Sequence, residues 1–241
     1  MKVLIVKTSS MGDIIHALPV AYDIACARPD VTLHWLAEES FADVAQLSGS
    51  VARVHRCAFR RWRKRPFAAD VRREVADLKA ALRAERFDLV IDLQGLMRSA
   101  LAARWAGAPV HGFSFSCVRE PVAALAYAKR YDWPEAMGAV ARYRALAASA
   151  LDYVVRGAPR FALCARAQPA PECAAGPFVA AAVNTSRDEK LWPQAYWVEL
   201  CRSLRESEGL RTLFFWGNEA ERARAWRRSL APCPTRWCSS D

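Results

Sequence analysis

A chain of 241 residues with 53% hydrophobic and 25% charged side chains has an ordinary globular composition and room for one large domain or two small ones. No apolar run approaches the roughly 18 residues of a membrane span, and "MKVLIVK" is too short and too soon interrupted by Lys7 for a signal peptide. The formal net charge of +10 suits nucleic acid, anionic lipid or phosphorylated substrates without choosing among them, and eight cysteines without a CxxC pair favour a reducing compartment over a disulfide or zinc framework.

The first strand is "KVLIVK". It empties into the small-residue loop "TSSMGD", and "IIHALPVAYDIACA" follows as a helix interrupted or kinked near Pro19. Ser9, Ser10 and Gly12 let backbone N–H groups approach an anion at a helix N-terminus. The loop matches neither GxGxxG nor GxxxxGK[ST], so a dinucleotide or P-loop reading is weak. Asp13 is either a helix N-cap or a carboxylate at the C-terminal edge of a parallel sheet, where open α/β sheets bind ligands. His16, one turn on, reads as a partly buried polar residue.

"VTLHWLAE" and "ARVHRC" are further strands. "RRWRKR", residues 60–65, then places five cations around Trp62 in an expected exposed loop, fit to bind phosphate with help from the indole or simply to be solvated. No helix-turn-helix, RRM or KH signature accompanies it, which leaves a nucleic-acid-binding module as a distant alternative. "DVRREVADLKAALRAE" sets Val71, Val75, Leu78 and Leu82 on one helical face. "FDLVIDLQG" is a buried strand whose end brings Asp92, Gln94 and the following Arg98 to the same sheet edge as Asp13. "RSALAARWAG" is a short helix stopped by Gly107, and "AVARYRALAASALDYVV" is a longer one. This alternation predicts a parallel sheet flanked by helices.

Residues 1–157 therefore form one α/β domain, 158–177 a Pro- and Ala-rich linker, and 178–241 a second, incomplete α/β domain. The second domain reads "FVAAAV" as strand, "NTSRDEKLWP" as loop, "QAYWVELCRSLRESEG" as helix, "LRTLFFWG" as strand and "NEAERARAWRRSL" as helix. Thr185, Ser186 and Lys190 supply the hydroxyls and ammonium a diphosphate needs, with Pro193 suited to helix position N1; an ordinary capped connection is the alternative. The last residues, from about 232, fit neither period. They are expected to be an out-of-frame reading of the gene, exposed or poorly packed.

The stretches "VLIVKTSSMGDIIHALP", "RRWRKR", "FDLVIDLQGLMRSAL", "REPVAALAY", "NTSRDEKLWP" and "FFWGNEAERA" together resemble the bacterial lipopolysaccharide heptosyltransferases, over residues 3 to about 224. The resemblance implies a GT-B-like fold of two Rossmann-like domains. It implies inverting transfer of L-glycero-D-manno-heptose from ADP-heptose, the co-substrate, to the Kdo of the lipid A inner core, with no metal or other cofactor. Asp13 would be the general base, and Thr185, Ser186 and Lys190 would hold the donor diphosphate. Arg60, Arg61, Arg63, Lys64, Arg119 and Arg142 would meet the acidic Kdo-lipid A acceptor. The enzyme would be cytoplasmic and peripheral on the anionic inner face of the inner membrane, with no nucleic-acid partner. A branch of the family acting on inner-core heptose is the near alternative. The chain ends before the family's D-T-G-x-x-H segment, so a truncated product, inactive for want of a complete nucleotide pocket, is expected.

Overall fold

The computed structural model describes residues 1–164, 176–185, 188–216 and 219–228. It divides into two compact units, Met1–Ala165 and Arg166–Asp241. The expected out-of-frame tail lies outside the described residues, as does most of the expected linker.

In the first unit, β1 (Lys2–Val6) runs into α1 (Met11–Ala27), followed by β2 (Thr32–Glu38), α2 (Ala42–Gln46), β3 (Arg53–Cys57), α3 (Phe59–Trp62) and α4 (Ala69–Ala84). The second half carries β4 (Leu89–Asp92), α5 (Met97–Arg104), β5 (Val110–Phe113), β6 (Lys129–Tyr131) and α6 (Ala139–Leu151). The six strands form one parallel sheet in the order β3-β2-β1-β4-β5-β6. The chain builds outward in one direction from β1 to β3, then in the other from β4 to β6. The order therefore reverses between β1 and β4, and the loops leaving those two strands frame a crevice at their C-terminal ends.

The central strands are continuous apolar runs because they are covered on both faces. Val3 through Val6 and Val90 through Ile91 are fully buried. α1 is continuous through Pro19 rather than interrupted, with Ile14, Leu18, Pro19 and Ile24 among its buried residues. Packing of that face offsets the single ladder bond that proline removes. α1 is also tied to α6 by a buried ion pair, in which Arg144 Nε and Nη2 donate to the Asp23 carboxylate at 2.7 and 3.0 Å. α4 buries Val71 and Leu82 and leaves Val75 and Leu78 half-buried against the core, the face the spacing predicts. Residues 158–164 belong to this unit, where Leu163 bridges Ser48 and the Cys164 N–H donates to the Leu47 carbonyl at 2.7 Å.

In the second unit β7 (Phe178–Ala182) and β8 (Arg211–Phe215) pair in parallel, with α7 (Gln194–Glu208) between them and α8 (Glu219–Arg228) after. Pro193 stands at the N-cap of α7, one residue outside the expected N1 position. Of the cysteines in the described residues, Cys57 and Cys201 are buried, Cys26 and Cys164 are exposed, and none is paired. No helix among the described residues is long and apolar enough to cross a membrane.

Candidate active site

The loops after β1 and β4 are stitched together by side chains. Gln94 Oε1 accepts the Thr8 N–H at 3.0 Å and the Ser9 N–H at 3.2 Å, and Arg98 Nη2 donates to Ser9 Oγ at 3.4 Å. Gln94 is itself set by Asp92, whose carboxylate is fully buried. Asp92 accepts from the Gln94 and Gly95 N–H groups at 2.8 and 3.2 Å, Ser99 Oγ at 2.9 Å and Tyr127 Oη at 2.9 Å. Burial pushes the Asp92 pKa up against those four donors. Two glycines make this possible. Gly95 turns the chain at φ +69, and any Cβ on Gly112 would lie 2.3 Å from the Tyr127 ring that reaches Asp92.

Asp13 stands over this base. The N-cap of α1 is Ser10, not Asp13, which occupies position N3. The Ser10 N–H and hydroxyl donate to its Oδ2 at 2.8 and 2.9 Å, so the carboxylate supports the helix start from the third position. Half-burial works to raise its pKa. The Ser10 N–H, the charge of Lys7, the Ser10 hydroxyl and Arg119 together outweigh that and hold the carboxyl below its ordinary value. Asp13 is thus ionised near neutrality, with one oxygen committed to Ser10. His16 is exposed rather than partly buried. Ser9, Ser10, Asp13, Gln94, Met97, Arg98, Leu101, Arg119 and Glu120 line an open cleft of about 720 Å³.

The expected basic residues reach the same sheet edge but divide by commitment. Residues 59–62 form the short helix α3 rather than an exposed loop, and Trp62 is buried, its indole N–H donating to Glu74 Oε2 at 2.7 Å. Trp62 is therefore packing rather than a stacking platform. Arg61 is spent on Glu39 and Glu74 at 3.1 and 2.8 Å. Arg60 lies 4.8 Å from the Phe41 ring, and its N–H donates to Glu38 Oε1 at 3.0 Å. Arg142 is tied to the carbonyls of Trp133 and Cys117 and stacks 4.0 Å from the Phe113 ring. Arg63, Lys64 and Arg119 are exposed, without an ion pair among the described residues. They remain available to an anion.

In the second unit Thr185 and Lys190 follow β7 and precede α7, at that sheet's C-terminal edge; Thr185 is half-buried and Lys190 exposed. Ser186 lies outside the described residues. Asn184 donates to the Phe215 carbonyl at 3.2 Å, while its Oδ1 is buried without a hydrogen-bond partner among the described residues.

Sequence reasoning missed Lys7 and Tyr143. Lys7 is 3% exposed and Tyr143 7% exposed, and the lysine ammonium donates to the tyrosine oxygen at 2.8 Å. The signal was a cation closing a run of four buried apolar residues, a place where a solvated lysine has no room. A second titratable group, His34, His55 and Glu85, is the one spaced for a metal among the described residues. Its carboxylate is already taken by Lys2 at 2.7 Å and Arg53 at 2.6 Å, and the two rings bond each other at 3.1 Å. Two cations on the carboxylate disfavour a third there.

The model of glycosyltransferase family 9 (heptosyltransferase) matches residues 75–238. Lipopolysaccharide heptosyltransferase 1 of Salmonella typhimurium is 39% identical over 229 residues, which cover 94% of this chain and 72% of that protein. The chain belongs to glycosyltransferase family 9. The Escherichia coli K12 heptosyltransferase 1 is likewise 39% identical, over 232 residues and 72% of its length. The structure of E. coli heptosyltransferase WaaC with ADP-2-deoxy-2-fluoro heptose superposes with a TM-score of 0.86 at 37% identity, covering 95% of this chain and 73% of that one. E. coli heptosyltransferase II, at 17% identity and a TM-score of 0.70, shares the fold. The GT-B-like class expected for this family 9 chain holds, with two Rossmann-like units of which the second shows two strands among the described residues.

Proposed function

We propose that this family 9 chain is an inverting glycosyltransferase that moves L-glycero-D-manno-heptose from ADP-heptose to the Kdo of the lipid A inner core, without a metal. The observation that carries the reading is Asp13. It is an ionised carboxylate, half-buried at the switch point of a parallel sheet, in a chain 37% identical to a heptosyltransferase whose structure holds an ADP-heptose analogue. Asp13 takes the proton of the attacking Kdo hydroxyl, and a single base suffices for one in-line displacement. Thr185, Ser186 and Lys190 hold the donor diphosphate and neutralise the departing ADP, work that amide dipoles and one ammonium can do without a metal. Arg63, Lys64 and Arg119 receive the acidic acceptor, with Arg60, Arg61 and Arg142 shaping the surface from which they project.

The acceptor is a lipid, and the partner surface is an anionic membrane, met peripherally from the cytoplasmic side. Leu101 of α5, and Val122 and Leu125 of the 3-10 turn Pro121–Ala126, are exposed apolar residues near Arg98 and Arg119, a pairing that suits a charged lipid surface. Transfer to Kdo is favoured over transfer to heptose because identity to the first enzyme is 37% and to the second 17%. The test is ADP release from ADP-heptose with Kdo-lipid A, with a heptosylated acceptor and with neither. Release should depend on the Kdo acceptor in a chain extended to the full length of its relatives, and be lost or much reduced in this one. Release only with the heptosylated acceptor, or none from the extended chain, overturns the assignment.

A further inference from the structure

Lys7 is a buried cation with no counter-ion in contact among the described residues. It follows the last residue of β1, and the Trp35 indole N–H clamps its carbonyl at 3.0 Å. Its Nζ donates to Tyr143 Oη at 2.8 Å and to the Leu93 carbonyl at 3.3 Å, and lies 4.5 Å from the Tyr143 ring centroid. Both acceptors are neutral, and an ammonium has a third N–H. Removing an ammonium from water costs several kcal/mol, so a buried lysine is rarely retained for packing alone.

Its Leu93 acceptor immediately precedes Gln94, which lines the cleft together with Asp13, and the charged groups around it come from every neighbouring element: Asp13 from α1, Asp92 from the end of β4, Arg142 with Tyr143 from α6, and Arg119 from the segment between β5 and β6. The arginines oppose the lysine charge and the two carboxylates favour it. Asp92 is already saturated by four donors. Among the described residues Asp13 has only the two donors of Ser10, so it is the carboxylate whose state the lysine can still alter.

We propose that Lys7 is a positioning residue for Asp13: its ammonium, fixed beneath the cleft by Tyr143 and Leu93, keeps the Asp13 carboxylate ionised when substrate dries and crowds the site. The idea rests on Asp13 being the base for its catalytic meaning, although the placement of the ammonium under the Leu93–Gln94 side of the cleft does not. An incoming acidic acceptor and the loss of water both favour protonated Asp13, and a fixed positive charge opposes both. Burial pushes the Lys7 pKa down to about 8, against the pull of Asp13 and Asp92 and with Arg119 and Arg142 adding to the fall. The lysine is therefore charged at neutrality and loses that charge as the pH passes about 8.

The experiment is a carbon-detected NMR titration of the Asp13 carboxyl, which needs no turnover. In the wild type the Asp13 signal should show a main low-pH transition and a small second inflection near pH 8, where Lys7 discharges. Lys7→Met should remove the second inflection and raise the main transition by about one pH unit. Tyr143→Phe should move the second inflection lower, because the ammonium loses an acceptor, and leave the main transition in place. A lysine that only packs would lower stability when replaced and leave the Asp13 titration as it was. An unchanged main transition in Lys7→Met overturns the proposal. If that variant does not fold, a wild-type Asp13 curve without an inflection between pH 7 and 9 does so instead. Activity of Asp13→Asn tests the base assignment separately, so the two ideas can fail independently.

Discussion

Replacing Gln94 by methionine keeps the side-chain volume close and removes the acceptor that joins the β1 and β4 loops. The Thr8 and Ser9 N–H groups bond Gln94 Oε1 at 3.0 and 3.2 Å, and the two residues are 1% and 8% exposed, so water does not replace the lost partner. An unpaired buried amide costs about 1–3 kcal/mol, which puts the loss for the pair at roughly 2–6 kcal/mol. The Thr8 hydroxyl contact, at 3.4 Å, is left out of that sum because the hydroxyl can turn to another acceptor. Urea unfolding followed by circular dichroism reads the total. Amide hydrogen exchange localises it: protection should fall at Thr8 and Ser9 first, while Val3 to Val6 keep theirs. Gln94→Glu retains an acceptor oxygen and should preserve the protection of both amides. A methionine variant within about 0.5 kcal/mol of wild type, with Thr8 and Ser9 still protected, would refute the claim that this one oxygen holds the cleft.

Asp13→Asn should lower kcat on the order of 10²–10⁴-fold while leaving stability nearly unchanged, because an amide oxygen can still accept the Ser10 N–H; activity within a factor of about three of wild type sinks the base assignment. Gln in place of Arg63 and Lys64 should raise the acceptor KM more than the donor KM and blunt the salt sensitivity of acceptor use. Arg61→Gln should touch neither strongly, because exposed ion pairs are screened by solvent and salt; equal kinetic effects from all three positions count against this division. Asp23→Asn removes the counter-charge of the buried Arg144 guanidinium, which keeps the Arg156 and Gly157 carbonyls, and should cost up to about 3–5 kcal/mol in denaturant unfolding, so a loss below about 1 kcal/mol means the pair is not desolvated as it stands. Burial lowers the pKa of His34, and that of His55 to about 4 with the neighbouring His34 adding to the fall. The unfolded chain therefore takes up protons first, and the stability present above pH ~6.5 is lost as pH falls toward about 4. His55→Leu should flatten that part of the pH–stability curve, and an unchanged slope would show that the pair does not cause it.

The fold was legible where apolar runs are long and both faces are covered. "KVLIVK" and "FDLVID" announce central strands because only a doubly covered strand tolerates such runs. β5 and β6 carry no such mark. "VHGF" holds a glycine that serves the Tyr127 contact, and "KRY" is a polar edge strand, exposed at Lys129 and Arg130. Pro19 misled for the opposite reason, since a local rule against proline gave way to the packing of a whole helix face. The basic run was legible as charge but not as structure, because α3 depends on Glu38, Glu39 and Glu74, acceptors 12 to 22 residues away in sequence.

Charge count and charge availability are different quantities, and the candidate site turns on the second. Six cations on the acceptor side look alike in sequence, and each carries the same formal charge. Arg61 faces two carboxylates and Arg142 two carbonyls and a ring, so recruiting either to a ligand means breaking bonds already made. Arg63, Lys64 and Arg119 give up only water. The same logic separates the two aspartates of the crevice. Asp92 accepts four hydrogen bonds and is closed to solvent, which makes it scaffold, whereas Asp13 keeps an oxygen free above the cleft. What distinguishes a base from a brace here is the number of donors already facing it, a quantity set by Ser10, Ser99 and Tyr127 and invisible until the loops that carry them are brought together.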